Sequence, residues 1–397
     1  MLIANICFII KLMKNELLLS FVRKLNLAPE YYVESSGRFE VIGNHTDHNG
    51  GLCVAASCDL KIKGYLATNK DNKVYLYSEG YDDVEISLDK LSIVKEEVGT
   101  SAGLVKGVAK FYIDHGYSIG GFYLKTESSI FPGAGVSSSA AFESMIAQIF
   151  NVIYNDGKVP PIEMAKAGQY SENNYFDKKS GLLDQSAVCF GNVSFMDFSS
   201  LSIPVVKTIN FPFDDMRFVI VNTGGSHADL SDLYSAIPTD MKAVAAKLGK
   251  NTLSETSLAE VERIKDQLSD IEYKRAKHFF NENQRVLTLV KALENKDKST
   301  FLRMIKESFE SSRDLLQNMM VKDCYKGSPL EACDYAYEFL KDKGACKING
   351  GGFAGSIIAC MPKMDSYLFV EHMMKKYPRE NIAFIEVNPY PPIVKKI

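Results

Sequence analysis

The segment at residues 131–143, FPGAGVSSSAAFE, combines glycines with hydroxyl side chains in front of an apolar helical pattern. Gly133 and Gly135 allow positive φ angles and a close approach of the backbone to a ligand, and three serines at positions 137–139 place hydroxyls at the start of the helix. Free N–H groups at a helix N-terminus, reinforced by the helix dipole, bind phosphate without a lysine. The segment follows neither the Walker pattern nor GxGxxG. A phosphate-binding loop and an ordinary capped turn both fit it.

The segment at residues 37–51, GRFEVIGNHTDHNGG, presents a row of polar side chains after a short strand. These are Asn44, His45, Thr46, Asp47, His48 and Asn49. Mixed donors and acceptors of this kind recognise sugars, because each buried ligand hydroxyl needs partners and each unmet partner costs about 1–3 kcal/mol. A hydrated β-turn that bonds its own backbone is the alternative. The two histidines flank one aspartate with no third ligand nearby, which argues against a metal site.

Two further segments are SGLLDQ, at residues 180–185, and KINGGGFAGS, at residues 347–356. In the first, Asp184 follows an apolar pair, and Glu172 lies twelve residues before it. An oriented carboxylate in a polar pocket fits this position, and so does a turn or cap residue. In the second, the glycines form a tight hairpin or bring backbone against a substrate.

The elements that carry these segments follow from hydrophobic periodicity. Short β-branched and aromatic runs between Arg38 and Ser87 predict strands. From Ser139 onward, apolar residues recur at i, i+3, i+4, i+7 and i+8, which predicts an amphipathic helix. A strand-like run at 216–222 precedes charged helices at about 240–342 and the apolar runs SIIACM and IAFIEV. This order predicts an α+β fold of two domains, at residues 13–210 and 211–397.

Length and composition are those of a globular protein with two or three domains: 397 residues, 46% hydrophobic and 24% charged. The 46 Lys and Arg against 49 Asp and Glu give a net charge of −3, which excludes the basic field of a dedicated nucleic-acid-binding protein. The eight cysteines form no CxxC pair, so neither a zinc site nor a disulfide scaffold is predicted, and a cytoplasmic location is expected.

The stretch MLIANICFII, at residues 1–10, is membrane-like but too short to span a bilayer. It has no basic residue before it and no small-residue cleavage site after it, so no membrane partner is expected. Met13 precedes KNELLLSFVRKL, the pattern of a first amphipathic helix, which leads to the hypothesis that translation begins at Met13; a start at Met1 is the alternative.

These motifs together resemble those of the galactokinase family, within the GHMP superfamily of small-molecule kinases, from about Leu25 to the C-terminus. The segment at residues 37–51 is similar to the family signature GRxNxIGEHTDYNGG, and SENNYFDKKSGLLDQ is similar to AENxFxGxxCGIxDQ. PGAGVSSSAAFE resembles the superfamily's phosphate loop, NGGGFAGS its C-terminal glycine motif, and RAKHFFNENQRV the family's central helix. Several motifs in the right order are far more specific than any one of them.

The resemblance implies a two-domain GHMP kinase fold, in which the N-terminal domain is like domain 2 of ribosomal protein S5 and the C-terminal domain is ferredoxin-like. The active site is then expected in the cleft between them. The implied activity is that of a sugar 1-kinase, with galactose and ATP as small-molecule partners and Mg²⁺ accompanying ATP. A proton acceptor and a neighbouring cation at the sugar hydroxyl are the implied catalytic groups, Asp184 and Arg38.

The resemblance also assigns the binding residues. Sugar contacts are implied for Asn44, His45, Thr46, Asp47 and Tyr234. ATP contacts are implied for Gly133, Ala134, Gly135, Val136, Ser137, Ser138 and Ser139, and the implied metal ligands are Ser139 and Glu172.

The departures from the family motifs include Asn44 in place of Glu, His48 in place of Tyr, and Ser180 in place of Cys. At position 44 a charged acceptor gives way to a neutral group that both donates and accepts. The loss of a negative charge would make an anionic sugar less unfavourable in the pocket.

Galactose is the expected sugar, because the chain retains the His-Thr-Asp sequence of the family signature at residues 45–47. The alternatives are a kinase for N-acetylgalactosamine, galacturonate or arabinose, and a non-catalytic galactose and ATP sensor on the same scaffold. The presence of Ser139, Glu172 and Asp184 favours the enzyme over the sensor.

Overall fold

The computed structural model describes residues 15–178, 180–200, 203–225 and 230–397. The expected start at Met13 and the membrane-like stretch before it lie outside the described residues. Within the described part of the chain, no helix is both long and apolar enough to cross a membrane.

Runs of strands followed by runs of helices make up the chain, as the sequence pattern predicts. The helices are α1 Glu16–Leu25, α2 Ser101–Asp114, α3 Ser138–Tyr154, α4 Pro161–Tyr175, α5 Leu183–Phe190, α6 Ser231–Lys247, α7 Leu258–Arg263, α8 Asp270–Glu294, α9 Lys298–Ser311, α10 Pro329–Leu340 and α11 Lys363–Met374. The strands are β1 Tyr31–Ile42, β2 Leu52–Thr68, β3 Lys73–Ser78, β4 Val84–Ser87, β5 Phe122–Ser128, β6 Val193–Asp197, β7 Val205–Ile209, β8 Met216–Asn222, β9 Ala345–Asn349, β10 Ser356–Pro362, β11 Ile382–Ile385 and β12 Ile393–Lys396.

The first sheet is mixed. Among the described residues it has eight strands, in the order β12-β1-β2-β5-β3-β4, with β6 pairing to β2 and β7 to β6. The pair β3 and β5 is parallel, and the other pairs are antiparallel. Helices α2 to α5 pack with this sheet, and Leu66, Val105, Leu124, Ile146 and Phe150 are buried in their common core. The helix that the periodicity predicts after position 138 is therefore held by burial of its apolar face.

The second sheet is antiparallel and has the order β11-β8-β10-β9. Along the chain its strands and helices alternate as β8, helices, β9, β10, α11, β11. This is the βαββαβ arrangement of a ferredoxin-like unit. The α+β prediction is confirmed, including the ferredoxin-like second part.

The two sheets share a hydrophobic core. Phe39 on β1 and Phe218 on β8 lie with ring centroids 4.6 Å apart, and Val54, Val286 and Leu289 are buried in the same cluster. The last strand, β12, returns to pair with β1. The division of the chain between residues 210 and 211 stays a proposal. Because β12 lies in the first sheet, the N-terminal domain would also include this last strand.

Candidate active site

Arg38 and Asp184 are in direct contact although they lie 146 residues apart in sequence. Arg38 Nε donates to Asp184 Oδ1 at 2.5 Å, and Arg38 Nη2 donates to Asp184 Oδ2 at 2.8 Å. The third guanidinium nitrogen, Nη1, donates to the carbonyl of Gly135 at 2.7 Å, and the Ser137 hydroxyl donates to Asp184 Oδ2. Strand β1, the Gly/Ser segment and the first turn of α5 thus converge on one carboxylate.

The environment of Asp184 keeps it ionised. Burial alone would raise its pKa, but the charge and hydrogen bonds of Arg38, with help from Lys178 and Ser137, lower the pKa of Asp184 to about 2. Its side chain is 19% exposed. A carboxylate that is ionised at neutral pH and partly exposed can accept a hydrogen bond or a proton from a hydroxyl group.

The segment at residues 132–137 needs glycine at two positions. Gly133 and Gly135 have φ angles of 75° and 69°. A Cβ on Gly133 would lie 2.2 Å from Asn222 Nδ2, and a Cβ on Gly135 would lie 2.2 Å from Ser356 Oγ. The segment therefore fits against the ends of β8 and β10 only without side chains at these points.

The same segment is anchored from both sheets. Ala134 and Val136 are buried, and the N–H of Arg38 donates to the Val136 carbonyl at 2.9 Å. Asn349, at the end of β9, donates to the Gly135 carbonyl at 3.0 Å. These contacts fix the backbone before any ligand arrives.

Helix α3 begins at Ser138, directly after this segment. The Ala141 N–H bonds the carbonyl of Ser137 at 3.0 Å, so the N–H groups of residues 138–140 precede the helical ladder. Ser137 has a left-handed φ of 54° and does not cap the helix with its side chain. Free amides and a helix dipole at a rigid, glycine-lined turn form an anion cradle.

Ser139 and Glu172 are also in direct contact. Ser139 Oγ donates to Glu172 Oε1 at 2.5 Å, and Gln185 Nε2 donates to Glu172 Oε2 at 3.0 Å. Burial, and then the charge of Glu172, hold the pKa of the neighbouring Glu143 well above its usual range.

In the described ranges no group of three or more His, Cys, Asp or Glu side chains is placed to hold a metal ion. One carboxylate and one hydroxyl still fit Mg²⁺, which takes hard oxygen ligands and completes its shell with water and phosphate oxygens.

Asn44 is buried and bonded on all sides. Its Nδ2 donates to both Glu40 carboxylate oxygens, at 3.1 and 3.0 Å, and to the Gly350 carbonyl at 2.8 Å. Its Oδ1 accepts from Asn318 Nδ2 at 2.7 Å. Asn44 therefore joins the polar segment at residues 37–51 to the C-terminal glycine motif at residues 347–356.

His45 has a left-handed φ of 58° and lies with Nε2 2.7 Å from the Gly351 carbonyl. A carbonyl only accepts, so Nε2 carries the hydrogen. Burial lowers the pKa of His45 to about 3, which keeps the ring neutral. Nδ1 is then an acceptor, and it has no hydrogen-bond partner among the described residues.

Thr46 and Asp47 differ in their surroundings. The Thr46 hydroxyl is buried and contacts the carbonyls of Gly43 and Leu52, at 2.9 and 2.8 Å. This favours a role for Thr46 in holding the loop closed instead of contacting a sugar. Asp47 packs against Gly181, where a Cβ would lie 1.9 Å from Asp47 Oδ2. Asp47 therefore lies beside the segment that leads to α5.

Tyr234, on α6, lies on the C-terminal glycine motif. Its hydroxyl donates to the Gly352 carbonyl at 2.6 Å, and its ring meets that of Phe353 edge-on at 5.6 Å. A Cβ on Gly351 would lie 2.6 Å from the Tyr234 ring. Burial raises the pKa of Tyr234 to about 12, so its hydroxyl stays protonated. Through Gly351 it is brought next to His45.

Two family descriptions match the chain. Residues 103–192 match the GHMP kinases N terminal domain, and residues 20–66 match the galactokinase galactose-binding signature. The chain is 30% identical over 357 residues to a galactokinase of Clostridium acetobutylicum, covering 86% of this chain and 88% of that relative. This chain belongs to the galactokinase family. A galactokinase of Lactobacillus helveticus is 29% identical over 379 residues, covering 92% of this chain and 94% of the relative.

Solved structures agree with the family. The Lactococcus lactis galactokinase complexed with galactose superimposes with a TM-score of 0.83 at 25% identity, covering 96% of this chain and 99% of that one. The mevalonate kinase of Methanococcus jannaschii shares the fold, with a TM-score of 0.62 at 16% identity over 90% of this chain and 98% of that one. The two-domain GHMP kinase fold is confirmed.

Sequence reasoning missed the carboxylate of Glu40. The family signature has Asn at this position, and here Glu40 pairs with Lys347 at 2.7 Å with both side chains almost wholly buried. A carboxylate is thus present one contact from Asn44, but the ammonium group of Lys347 balances its charge. The expectation that the pocket has lost a negative charge stays a prediction. The sequence did contain a signal, because Glu40 and Asn44 exchange the Asn and Glu of the family signature. Nothing in the sequence reveals that Lys347 is buried beside Glu40.

Helix α8 holds the family's sugar signature from outside the pocket. His278 Nε2 donates to the Asn44 carbonyl at 2.9 Å, and Glu282 Oε1 accepts from the Gly43 N–H at 3.0 Å. One position further on, Asn283 Oδ1 accepts from Leu52 N–H at 2.8 Å. These contacts hold both ends of the loop between β1 and β2. In the sequence, the three residues that make them lie within the motif RAKHFFNENQRV.

Proposed function

We propose that this galactokinase-family protein transfers the γ-phosphate of ATP to the anomeric hydroxyl of α-D-galactose, which yields galactose 1-phosphate and ADP. The observation that carries the proposal is the Arg38–Asp184 pair, which lies between the anion cradle and the sugar signature. Relatives named galactokinase match nearly the whole chain, and this supports the same activity.

The roles at the reacting hydroxyl follow from charge. Asp184 accepts the hydroxyl proton or holds the hydroxyl in line for attack, because its carboxylate is ionised at neutral pH. Arg38 orients Asp184 and supplies positive charge close to the transferring group. Phosphoryl transfer depends mostly on positioning and charge compensation, so these two residues and the amides of the cradle carry the stabilisation from the protein.

The nucleotide and its metal are assigned to the cradle. The segment from Gly133 to Ser139 binds the ATP phosphates with backbone amides. Ser139 and Glu172 would hold Mg²⁺, which would supply positive charge to offset that of the phosphates. Because ATP is the phosphate donor, we place the protein in the cytoplasm.

The sugar is assigned to the face made by His45, Asp47 and Tyr234, and Asn44, which is buried and hydrogen-bonded within the protein, positions the loop beside it. Neutral His45 offers Nδ1 as an acceptor for a sugar hydroxyl, since Nε2 donates to Gly351.

A substrate panel tests the function. Galactose, N-acetylgalactosamine, galacturonate and arabinose are each incubated with ATP and Mg²⁺, and phosphorylated product is measured by mass spectrometry and kcat/KM by ADP release. We expect galactose to have the highest kcat/KM of the four sugars. Binding of galactose by calorimetry with no phosphorylated product from any sugar would identify a sensor instead of a kinase.

A further inference from the structure

Lys178 lies in the loop between α4 and α5, beside the residues assigned to phosphate and metal. Its Nζ is 2.6 Å from Glu172 Oε1 and 3.4 Å from Ser139 Oγ. The Lys178 side chain is 46% exposed, whereas that of Glu172 is 0% exposed. A cation that solvent can reach therefore rests on a carboxylate that is buried in the protein.

The backbone, and not only the ion pair, sets the position of this lysine. The N–H of Lys178 donates to the carbonyl of Glu172 at 3.1 Å, just beyond the end of α4. Asp177, the residue before it, has a left-handed φ of 54°, which turns the chain back over the helix end. Residue 178 is therefore held next to the metal residues by local chain geometry.

The charges of the site balance in pairs. Arg38 compensates Asp184, and Lys178 compensates Glu172. Glu172 is also held by Ser139 and by Gln185. A metal cation bound at Glu172 would balance the negative charge of this carboxylate in place of Lys178. Because the buried Glu172 is held by its hydrogen bonds, the exposed Lys178 is the group that changes partner.

We propose that Lys178 is a further catalytic residue, whose ammonium group binds the terminal phosphate of ATP; this rests on the proposed kinase function. In the transfer, the bond between the anomeric oxygen and the γ-phosphorus forms, and the bond from that phosphorus to the oxygen of ADP breaks. The hydroxyl proton goes to Asp184 and then to solvent. Lys178 keeps its protons and offsets negative charge on the phosphoryl oxygens.

Calorimetry with metal-free ATP tests this contact without turnover. Lys178→Met is compared with the wild type, with Lys178→Arg, and with the control Lys110→Met, which removes a similarly exposed lysine of an ion pair on α2. We expect Lys178→Met to weaken ATP binding about 10-fold or more, the scale of one charge-assisted hydrogen bond. AMP, which lacks the terminal phosphate, should bind the variant as it binds the wild type, and Lys178→Arg should retain most of the ATP affinity.

A second pair of variants covers the case in which Lys178→Met unfolds because Glu172 is left uncompensated. Glu172→Gln frees the lysine, so metal-free ATP should bind it more tightly than the wild type. Adding Lys178→Met to Glu172→Gln should remove that gain. With Mg²⁺ present, Lys178→Met should lower kcat for galactose by about 10-fold or more.

Equal ATP affinity in Lys178→Met and Lys110→Met, or the same affinity in the single Glu172→Gln and the double variant, would overturn the proposal. A loss of AMP binding as large as the loss of ATP binding would also overturn it, because it would point to a general structural role. These titrations do not depend on the sugar, so a failure of the substrate panel would be a separate result.

Discussion

At the scale of single residues, the site depends on how neighbours set charge. Asp184 is ionised because Arg38 outweighs the effect of burial, and His45 is neutral because burial prevails over its contact with Gly351. Neither group changes its charge between pH 5 and pH 8. At neutral pH, the Asp184 carboxylate can then accept a proton while the neutral His45 ring accepts a hydrogen bond from a hydroxyl group.

Replacing Asp184 with Asn separates sugar binding from chemistry. The amide keeps the shape of the side chain but cannot take a proton, so kcat should fall about 100-fold or more while galactose still binds. The first quantity is measured by ADP release and the second by calorimetry. A kcat within a few-fold of the wild type would refute the assigned role of Asp184.

The pH dependence gives a check on the same assignment. The pKa of Asp184 in the folded protein, about 2, lies below its usual value, so its contribution to stability is present above about pH 4 and is lost as the pH falls towards 2. Between pH 5 and pH 8, kcat/KM should show no inflection from Asp184. An inflection in this range that disappears in Asp184→Asn would contradict the assignment.

At the scale of elements, α8 keeps the sugar signature in place from behind. His278, Glu282 and Asn283 bond backbone groups at both ends of the loop. Burial would raise the pKa of Glu282, but the charges of Arg285 and His278 and its hydrogen bonds lower it to about 2, so it accepts from Gly43 as a carboxylate. A helix outside the pocket thus determines the position of the residues within it.

Removal of one of these bonds should change sugar binding selectively. Asn283→Ala leaves the Leu52 N–H without its partner, at a cost of about 1–3 kcal/mol that affects the loop and not the cradle. We expect the KM for galactose to rise about 5-fold or more, with the KM for ATP unchanged, in steady-state assays. Asn281→Ala, two positions away on α8, is the control. Equal increases in both KM values would show a general loss of structure.

At the scale of the whole molecule, the two sheets act as one folded unit. The core between them includes Phe39 and Phe218, and β12 ties the end of the chain to β1. The Arg38–Asp184 pair and its cradle lie where residues of both sheets meet. The geometry of the site therefore depends on the docking of the two sheets.

Phe218→Ala should weaken that docking. Deleting a buried aromatic ring costs about 3–5 kcal/mol, and the shared core means that both sheets should lose stability together. Urea unfolding followed by far-UV circular dichroism and by tyrosine fluorescence should give one shared transition at a lower midpoint. Leu287→Ala, at a position that is 40% exposed on α8, should change the midpoint little. Two separate transitions in the variant would argue against a common core.

The sequence by itself determined the local features of this protein. Positive-φ glycines at 133 and 135, the helix after Ser138, the strand at 216–222 and the polar segment after β1 were all predicted from short-range spacing. Motif resemblance then indicated the family, and the comparisons confirmed it. Such features depend on backbone preference and periodicity over a few residues, which a sequence displays directly.

Only the tertiary structure decided which distant side chains meet. The Glu40–Lys347 pair joins positions 307 residues apart, and the return of β12 to β1 crosses the proposed domain division. The contact of Lys178 with Glu172, six residues before it, depends on the turn at Asp177. Burial and charge pairing depend on packing between elements, and a sequence pattern specifies the face of an element but not the partner that covers it.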